Sequence, residues 1–245
     1  MSSATRAIDR IVAWRSAEIR EVIRETPSAA TLVLGVDGWP GHRAGQHLDV
    51  RLTAEDGYTA QRSYSIATPP EDPVPAITVE RLDDGEVSPY LVDEARAGDM
   101  LEIRGPVGGW FVWDTARGGP LWLIGGGSGV VPLMSMLRHR ERVGSDAQAR
   151  LLLSAKSPAD VLYAAELQAF EVTYTYTRRA PEGWTGYARR VDREILMESG
   201  FAPDRKPWVY VCGPTTFVEA VAEDLVALGH DNHRIRTERF GATGR

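Results

Sequence analysis

The segment Ile124-Gly-Gly-Gly-Ser-Gly-Val-Val-Pro132 has the residue types of an anion-binding turn. It follows an apolar run and opens a helical one. Glycines there let backbone N–H groups approach a pyrophosphate, and the helix dipole favours the negative charge. Pro132 stands where the third glycine of the dinucleotide fingerprint would be, a substitution that the first turn of a helix tolerates. The next apolar run ends in Ser154-Ala155-Lys156, with no acid to hold a ribose diol, so an ordinary NAD dehydrogenase fits poorly. The plain alternative is a loop that merely joins strand to helix, and this motif alone does not choose between them. Cys212 is the one cysteine, which excludes an internal disulfide, a four-cysteine zinc site and an iron–sulfur cluster held by the chain's own thiolates. Most lone cysteines are small buried hydrophobes. His230 and His233 have a metal-like spacing, but they sit in a polar turn with Gly229, Asp231 and Asn232, and no metal is expected.

Two kinds of element must position these groups. From about Ile19 to Val112, β-rich runs at Ala30–Val36, Gly45–Leu52, Ala76–Arg81 and Met100–Arg104 alternate with turn signals, the pattern of a small barrel or sandwich. From about Leu121, strand and helix alternate. Strands are expected at Leu121–Ile124, Ala149–Ser154, Val172–Thr177, Trp208–Cys212 and Arg234–Glu238. Helices are expected at Val130–Arg142, Ala159–Phe170, Asp192–Ser199 and Thr215–Leu228. That alternation implies a parallel sheet covered by helices on both faces. Arg117-Gly-Gly-Pro120 marks the boundary, which divides the chain into domains 1–116 and 117–245. Residues 2–13, with Ile8, Ile11 and Val12 grouped, have the look of a short amphipathic helix packed on the barrel.

The 245 residues are 43% hydrophobic and 25% charged, enough chain and apolar content for a folded core. A net charge of −6 argues against a nucleic-acid partner. The uncharged run Gly118–Leu137 carries too many glycines and prolines for a spanning helix, so no transmembrane segment is expected. The N-terminus has no signal-peptide core, and cysteine usage fits a reducing compartment, so the expected location is the cytoplasm.

Two further segments complete a pattern. Arg62-Ser-Tyr-Ser65 closes the third β segment, and Val211-Cys-Gly-Pro-Thr-Thr-Phe-Val218 follows the fourth strand of the second half. In this order, with the Gly-rich turn between them, the chain resembles the ferredoxin–NADP⁺ reductase family from roughly Ile19 to Phe240. The resemblance implies a β + α/β fold: a six-stranded antiparallel flavin-binding barrel, then a parallel-sheet domain for a nicotinamide dinucleotide. It implies FAD, with FMN as the minority alternative. Arg62 would hold the flavin phosphate, Tyr64 would lie against the isoalloxazine, and the Ser65 hydroxyl would bond near flavin N5. The plain alternatives are a solvated charge for Arg62 and a core aromatic for Tyr64.

Gly85-Glu-Val-Ser88 resembles the family's second phosphate contact, through Gly85, Val87 and Ser88, and Ser88 also reads as a helix N-cap. Gly105-Pro-Val-Gly108 resembles the turn that ends the barrel. Gly126, Gly127 and Gly129 would face the dinucleotide's pyrophosphate, and Cys212, Gly213 and Pro214 would border its nicotinamide. Ser65 and Cys212 are the residues expected at the reacting atoms. Thr177 and Arg178, with Arg179 next and Lys156 nearby, would suit a 2′-phosphate, which favours NADPH over NADH. Phe240 would cover the flavin or simply pack the last strand. The implied activity passes hydride from NAD(P)H to flavin and electrons on to a separate acceptor, a protein or a small molecule. The alternatives are a diaphorase-like reductase of free flavin, quinone or ferric chelates, and a nucleotide-binding regulatory module without turnover.

Overall fold

A computed structural model describes residues 13–241. The helix expected over 2–13 lies outside the described residues except for Ala13. The chain forms two compact units, one of residues up to Trp113 with Met134–Arg142, the other of Asp114–Leu133 and the chain from Val143 onward.

The first unit is a six-stranded antiparallel sheet of β1 (Arg15–Thr26), β2 (Ala29–Gly35), β3 (His47–Thr53), β4 (Thr59–Ser65), β5 (Ala76–Glu80) and β6 (Met100–Val107). The strand order is β4-β3-β6-β1-β2-β5. A bridge between Ile66 and Ile77 brings the two outer strands together and closes the sheet into a barrel. Inward side chains such as Ile19, Leu32, Leu48, Ile77 and Ile103 fill it. The hydropathy pattern names no run for β1, although it is the longest strand. Of its 12 residues only Ala17, Ile19 and Thr26 are buried, so charged residues hide the alternation. Its identity as a strand comes from pairing, through Arg15–Glu18 with β6 and Glu18–Thr26 with β2.

The second unit is a parallel sheet of β7 (Leu121–Gly126), β8 (Ala149–Ala155), β9 (Val172–Tyr176), β10 (Trp208–Pro214) and β11 (Ile235–Phe240), in the order β11-β10-β7-β8-β9. β7 is buried along its whole length, as strands covered on both faces are. The helices are α1 (Val130–Arg142), whose last turns group with the first unit, α2 (Arg193–Ser199) and α3 (Thr215–Ala227). Trp122, Ile124, Val209 and Val211 pack with Ile195 of α2 and Val218 and Leu225 of α3. The opposite face of β7 meets α1, where a Cβ on Gly125 would lie 3.3 Å from Leu133. Asp192 caps α2 by accepting from the Ile195 N–H at 3.0 Å.

The helix expected at Ala159–Phe170 does not form. Short 3₁₀ turns occupy Pro158–Asp160 and Glu166–Ala169, and Tyr163 between them has φ 57°, which no right-handed helix accepts. The buried residues Val161, Leu162 and Tyr163 are consecutive and share no helical face. Among the described residues no helix is long and apolar enough to cross a membrane.

Candidate cofactor-binding sites

In the first unit, β4 carries the charged end of the site. Strand alternation turns Arg62 and Tyr64 to one face, in register with Val50 and Leu48 of β3, and sends Ser63 and Ser65 to the other. The Ser63 hydroxyl donates at 2.6 Å to buried Asp49, which also accepts from Arg104 at 2.6 and 3.0 Å, so this network anchors the strand. Tyr64 packs against the barrel core, and burial pushes its phenol pKa up, so it stays protonated. Ser65 is half-buried opposite His47.

The structure brings Arg62 to the segment Gly85–Ser88. The Arg62 guanidinium donates to Glu86 at 3.2 Å, and the Tyr58 hydroxyl donates to the same carboxylate at 2.6 Å. That bond raises the Tyr58 pKa. Neither Glu86 nor Tyr58 is among the residues expected from sequence; Glu86 lies inside the Gly85–Ser88 segment, and that is its only sequence signal. Gly85 is required by crowding, since a Cβ there would lie 2.8 Å from the Ser88 Oγ. Val87 is fully buried in the barrel core. The N-cap expectation for Ser88 is corrected. Its buried hydroxyl accepts from the Leu82 N–H at 3.0 Å and closes the preceding loop instead. No side chain caps the helical turn Tyr90–Glu94 that follows.

In the second unit, chain direction reverses between β7 and β10: the chain moves outward from β7 to β8 and β9, then returns to β10 and β11. Open α/β sheets bind ligands at the carboxyl ends of the strands beside such a switch point. The turn Gly127–Gly129 follows β7 there, and Cys212-Gly213-Pro214 ends β10 there. They touch closely, because a Cβ on Gly129 would lie 2.1 Å from the Cys212 carbonyl oxygen. Phe217 presses on both Gly126 and Gly213, at 2.9 and 2.7 Å from where Cβ atoms would stand. Gly127 has φ 56°, which favours glycine. No side chain caps the Gly127–Gly129 turn that leads into α1. A glycine turn of this kind at a helix start is the type of backbone that receives an anion.

Burial holds the Cys212 thiol pKa well above its usual range, and nearby Glu238 raises it further, so this sulfur is no nucleophile. Phe240 is exposed and stands in register with Pro214. At the end of β9, Thr177 N–H donates to the Ala155 carbonyl at 2.9 Å, and both Arg178 and Arg179 N–H groups donate to the Lys156 carbonyl at 3.0 Å. These bonds gather Lys156, Thr177, Arg178 and Arg179 at one corner. Among the described residues neither Arg178 nor Arg179 has an ion-pair partner. No group of three or more His, Cys, Asp or Glu among the described residues could hold a metal.

Both sites fit phosphate-bearing cofactors, one through a guanidinium beside a glycine-tight loop, the other through a glycine turn with no side-chain cap at the start of a helix. Comparison with known proteins agrees. Residues 18–112 match the oxidoreductase FAD-binding domain and residues 123–223 the oxidoreductase NAD-binding domain. The chain is 31% identical over 219 residues to NADH oxidoreductase HCR of Escherichia coli (strain K12), covering 88% of this chain and 65% of that protein. It is 32% identical over 211 residues to the glycine betaine monooxygenase reductase subunit of Chromohalobacter salexigens, covering 82% of this chain and 56% of that protein. In fold it is similar to the crystal structure of a ferredoxin NADP⁺ reductase from Neisseria gonorrhoeae with bound FAD and NADP. The TM-score is 0.80 at 20% identity, over 92% of this chain and 98% of that one. With an oxidoreductase FAD-binding domain followed by an oxidoreductase NAD-binding domain across most of its length, the chain belongs to the FAD- and NAD-binding oxidoreductases and has a fold like that of ferredoxin NADP⁺ reductase.

Proposed function

We propose that this chain is a flavin-dependent NAD(P)H oxidoreductase of the cytoplasm, in which residues 1–116 hold FAD and 117–245 receive the nicotinamide dinucleotide. Bound flavin supplies hydride acceptance and onward release of electrons singly or in pairs. The chain's own residues bind, orient and shape. Arg62 grips the flavin phosphate with a charged fork, and Gly85, Val87 and Ser88 shape the second phosphate contact. Tyr64 presents a flat neutral ring, and Ser65 donates a hydrogen bond near the reacting nitrogen. Gly126, Gly127 and Gly129 admit the dinucleotide's pyrophosphate to the start of α1. Cys212, Gly213 and Pro214 leave room beside the nicotinamide, with Cys212 acting as a small neutral group. Phe240 stacks at that same end.

The observation that carries this function is the pair of anion-receiving ends, one per unit: Arg62 beside Gly85–Ser88, and the uncapped turn beside Cys212–Pro214. The deciding experiment is the visible spectrum of the purified protein, before and after anaerobic addition of NADPH. A yellow protein that bleaches supports the assignment. A colourless protein that takes up neither FAD nor FMN rejects it.

NADPH is the preferred donor in this proposal, because the ends of β8 and β9 bring the cationic residues Lys156, Arg178 and Arg179 and the hydroxyl of Thr177 to one corner. The Escherichia coli relative is named for NADH, so the preference rests on this chain's own residues. Equal kcat/KM for the two donors would remove it. The acceptor is proposed to be a separate protein, in keeping with a relative named as the reductase subunit of a monooxygenase.

A further inference from the structure

We infer that Glu86 is an internal competitor for the flavin phosphate, occupying Arg62 until the cofactor displaces it. The inference rests on the assignment of Arg62 as the phosphate ligand. The Glu86 carboxylate accepts from the Arg62 guanidinium at 3.2 Å through one oxygen and from the Tyr58 hydroxyl at 2.6 Å through the other. Both of its oxygens are thereby engaged. The guanidinium also donates to the Gln61 carbonyl at 2.7 Å, so two of its nitrogens are already in use. A phosphate cannot share this end of the guanidinium with Glu86 without setting two anions side by side, and like charges at contact repel. Tyr58 is what makes the competitor stay. Its hydroxyl is a neutral donor that holds the carboxylate without cancelling its charge.

Cofactor uptake is therefore an exchange, in which phosphate takes the guanidinium and Glu86 moves off into solvent. The exchange is feasible because both partners are near solvent, with side-chain exposures of 54% for Arg62 and 47% for Glu86. It also leaves Arg62 with a paired charge when the site is empty.

The test is the dissociation constant of FAD for protein stripped of cofactor, read by quenching of flavin fluorescence in wild type, E86Q, Y58F and R62Q. Glu86→Gln keeps the shape and removes the charge. It tightens FAD binding about twofold to fivefold at low salt, the range of an exposed ion pair. That gain shrinks as salt rises to about 0.5 M, because screening weakens the competitor. Tyr58→Phe tightens binding by a smaller factor, and R62Q loosens it and abolishes the gain from E86Q in the double variant. Melting curves of the empty proteins confirm that each variant folds. Unchanged or looser binding by folded E86Q overturns the inference, since a Glu86 that stayed to aim Arg62 would act in that direction. If wild type takes up no flavin while folded, the assignment of the whole first unit falls and this inference falls with it. If wild type binds and E86Q shows no gain, only the inference falls.

Discussion

In the proposed assignment the two units meet the same chemical problem, holding a phosphate, with opposite means. The barrel uses a side chain, Arg62, whose charge is balanced by Glu86 in the structure. The parallel sheet uses backbone N–H groups at a turn packed so tightly that three positions reject a Cβ. The first device is tunable, because single charges set its strength and salt screens them. The second is rigid, because the atoms that make it are the atoms that hold the sheet together. Mutations should therefore act on binding alone in the barrel, and on folding and binding together in the sheet.

The largest effect expected is from Gly129→Val. Its Cβ would stand 2.1 Å from the Cys212 carbonyl oxygen, a backbone atom that cannot step aside. Overpacking of this kind costs about 1–3 kcal/mol or more, so the melting temperature and dinucleotide affinity should fall together. A variant that melts like wild type would erase the contrast between the units. Next comes Arg62→Gln, which should weaken flavin binding roughly tenfold to a hundredfold, the worth of charge-assisted hydrogen bonds, with an unaltered melt of the empty protein. A drop in stability matching the drop in affinity would show the barrel site to be as structural as the other.

Arg178→Ala sharpens the comparison within the sheet, where it is a side chain at a rim of backbone. It should lower kcat/KM for NADPH about tenfold and leave NADH nearly unchanged. Loss with both donors would mean that the corner supports the strand end rather than reading a 2′-phosphate.

The smallest effect is a pH dependence of the barrel. His42 is buried, its Nε2 bonded to the Thr68 carbonyl at 2.9 Å while Nδ1 has no partner, so adding a proton would bury a donor without an acceptor. Burial lowers its pKa below 6.5, against weaker raising influences from Thr68, Glu71 and Asp72. The unfolded chain then binds this proton more readily than the folded one. The associated stability is complete above 6.5 and is lost as pH falls from there through the lowered folded value. His42→Gln should flatten the fall in melting temperature between about pH 7 and pH 5. An unchanged slope would assign that fall to carboxylates.

Much of the sheet unit was legible because its signals are local. The helix expected at Val130–Arg142 has those bounds in the structure, since an apolar strand, a glycine turn and an apolar helical face follow in order. The barrel was less legible where partners decide. β1 hides behind Glu18, Arg20, Glu21 and Arg24, and pairing alone makes it a strand. The left-handed Tyr163 that divides 159–170 leaves no mark in hydropathy. At the sites, Arg62, Tyr64 and the glycines are proposed from motifs, which are local in the sequence. Glu86 is not, because its meaning depends on Arg62 and Tyr58, which lie 24 and 28 residues away. Ser88 misled for a related reason: its hydroxyl could turn forward to cap or backward to Leu82, and only tertiary packing chose.

The bridge from Ile66 to Ile77 has a further consequence. By closing the six-stranded sheet on itself it removes the bare rims at which one molecule's strands could pair with another's. The five-stranded sheet cannot close, and guards its rims otherwise: Thr175 of β9 bridges to Tyr187, while β11 sets Arg236, Glu238 and Arg239 along the opposite side. Among the described residues neither sheet offers a neighbouring molecule a long uncharged template, so strand-by-strand aggregation is discouraged in the folded protein.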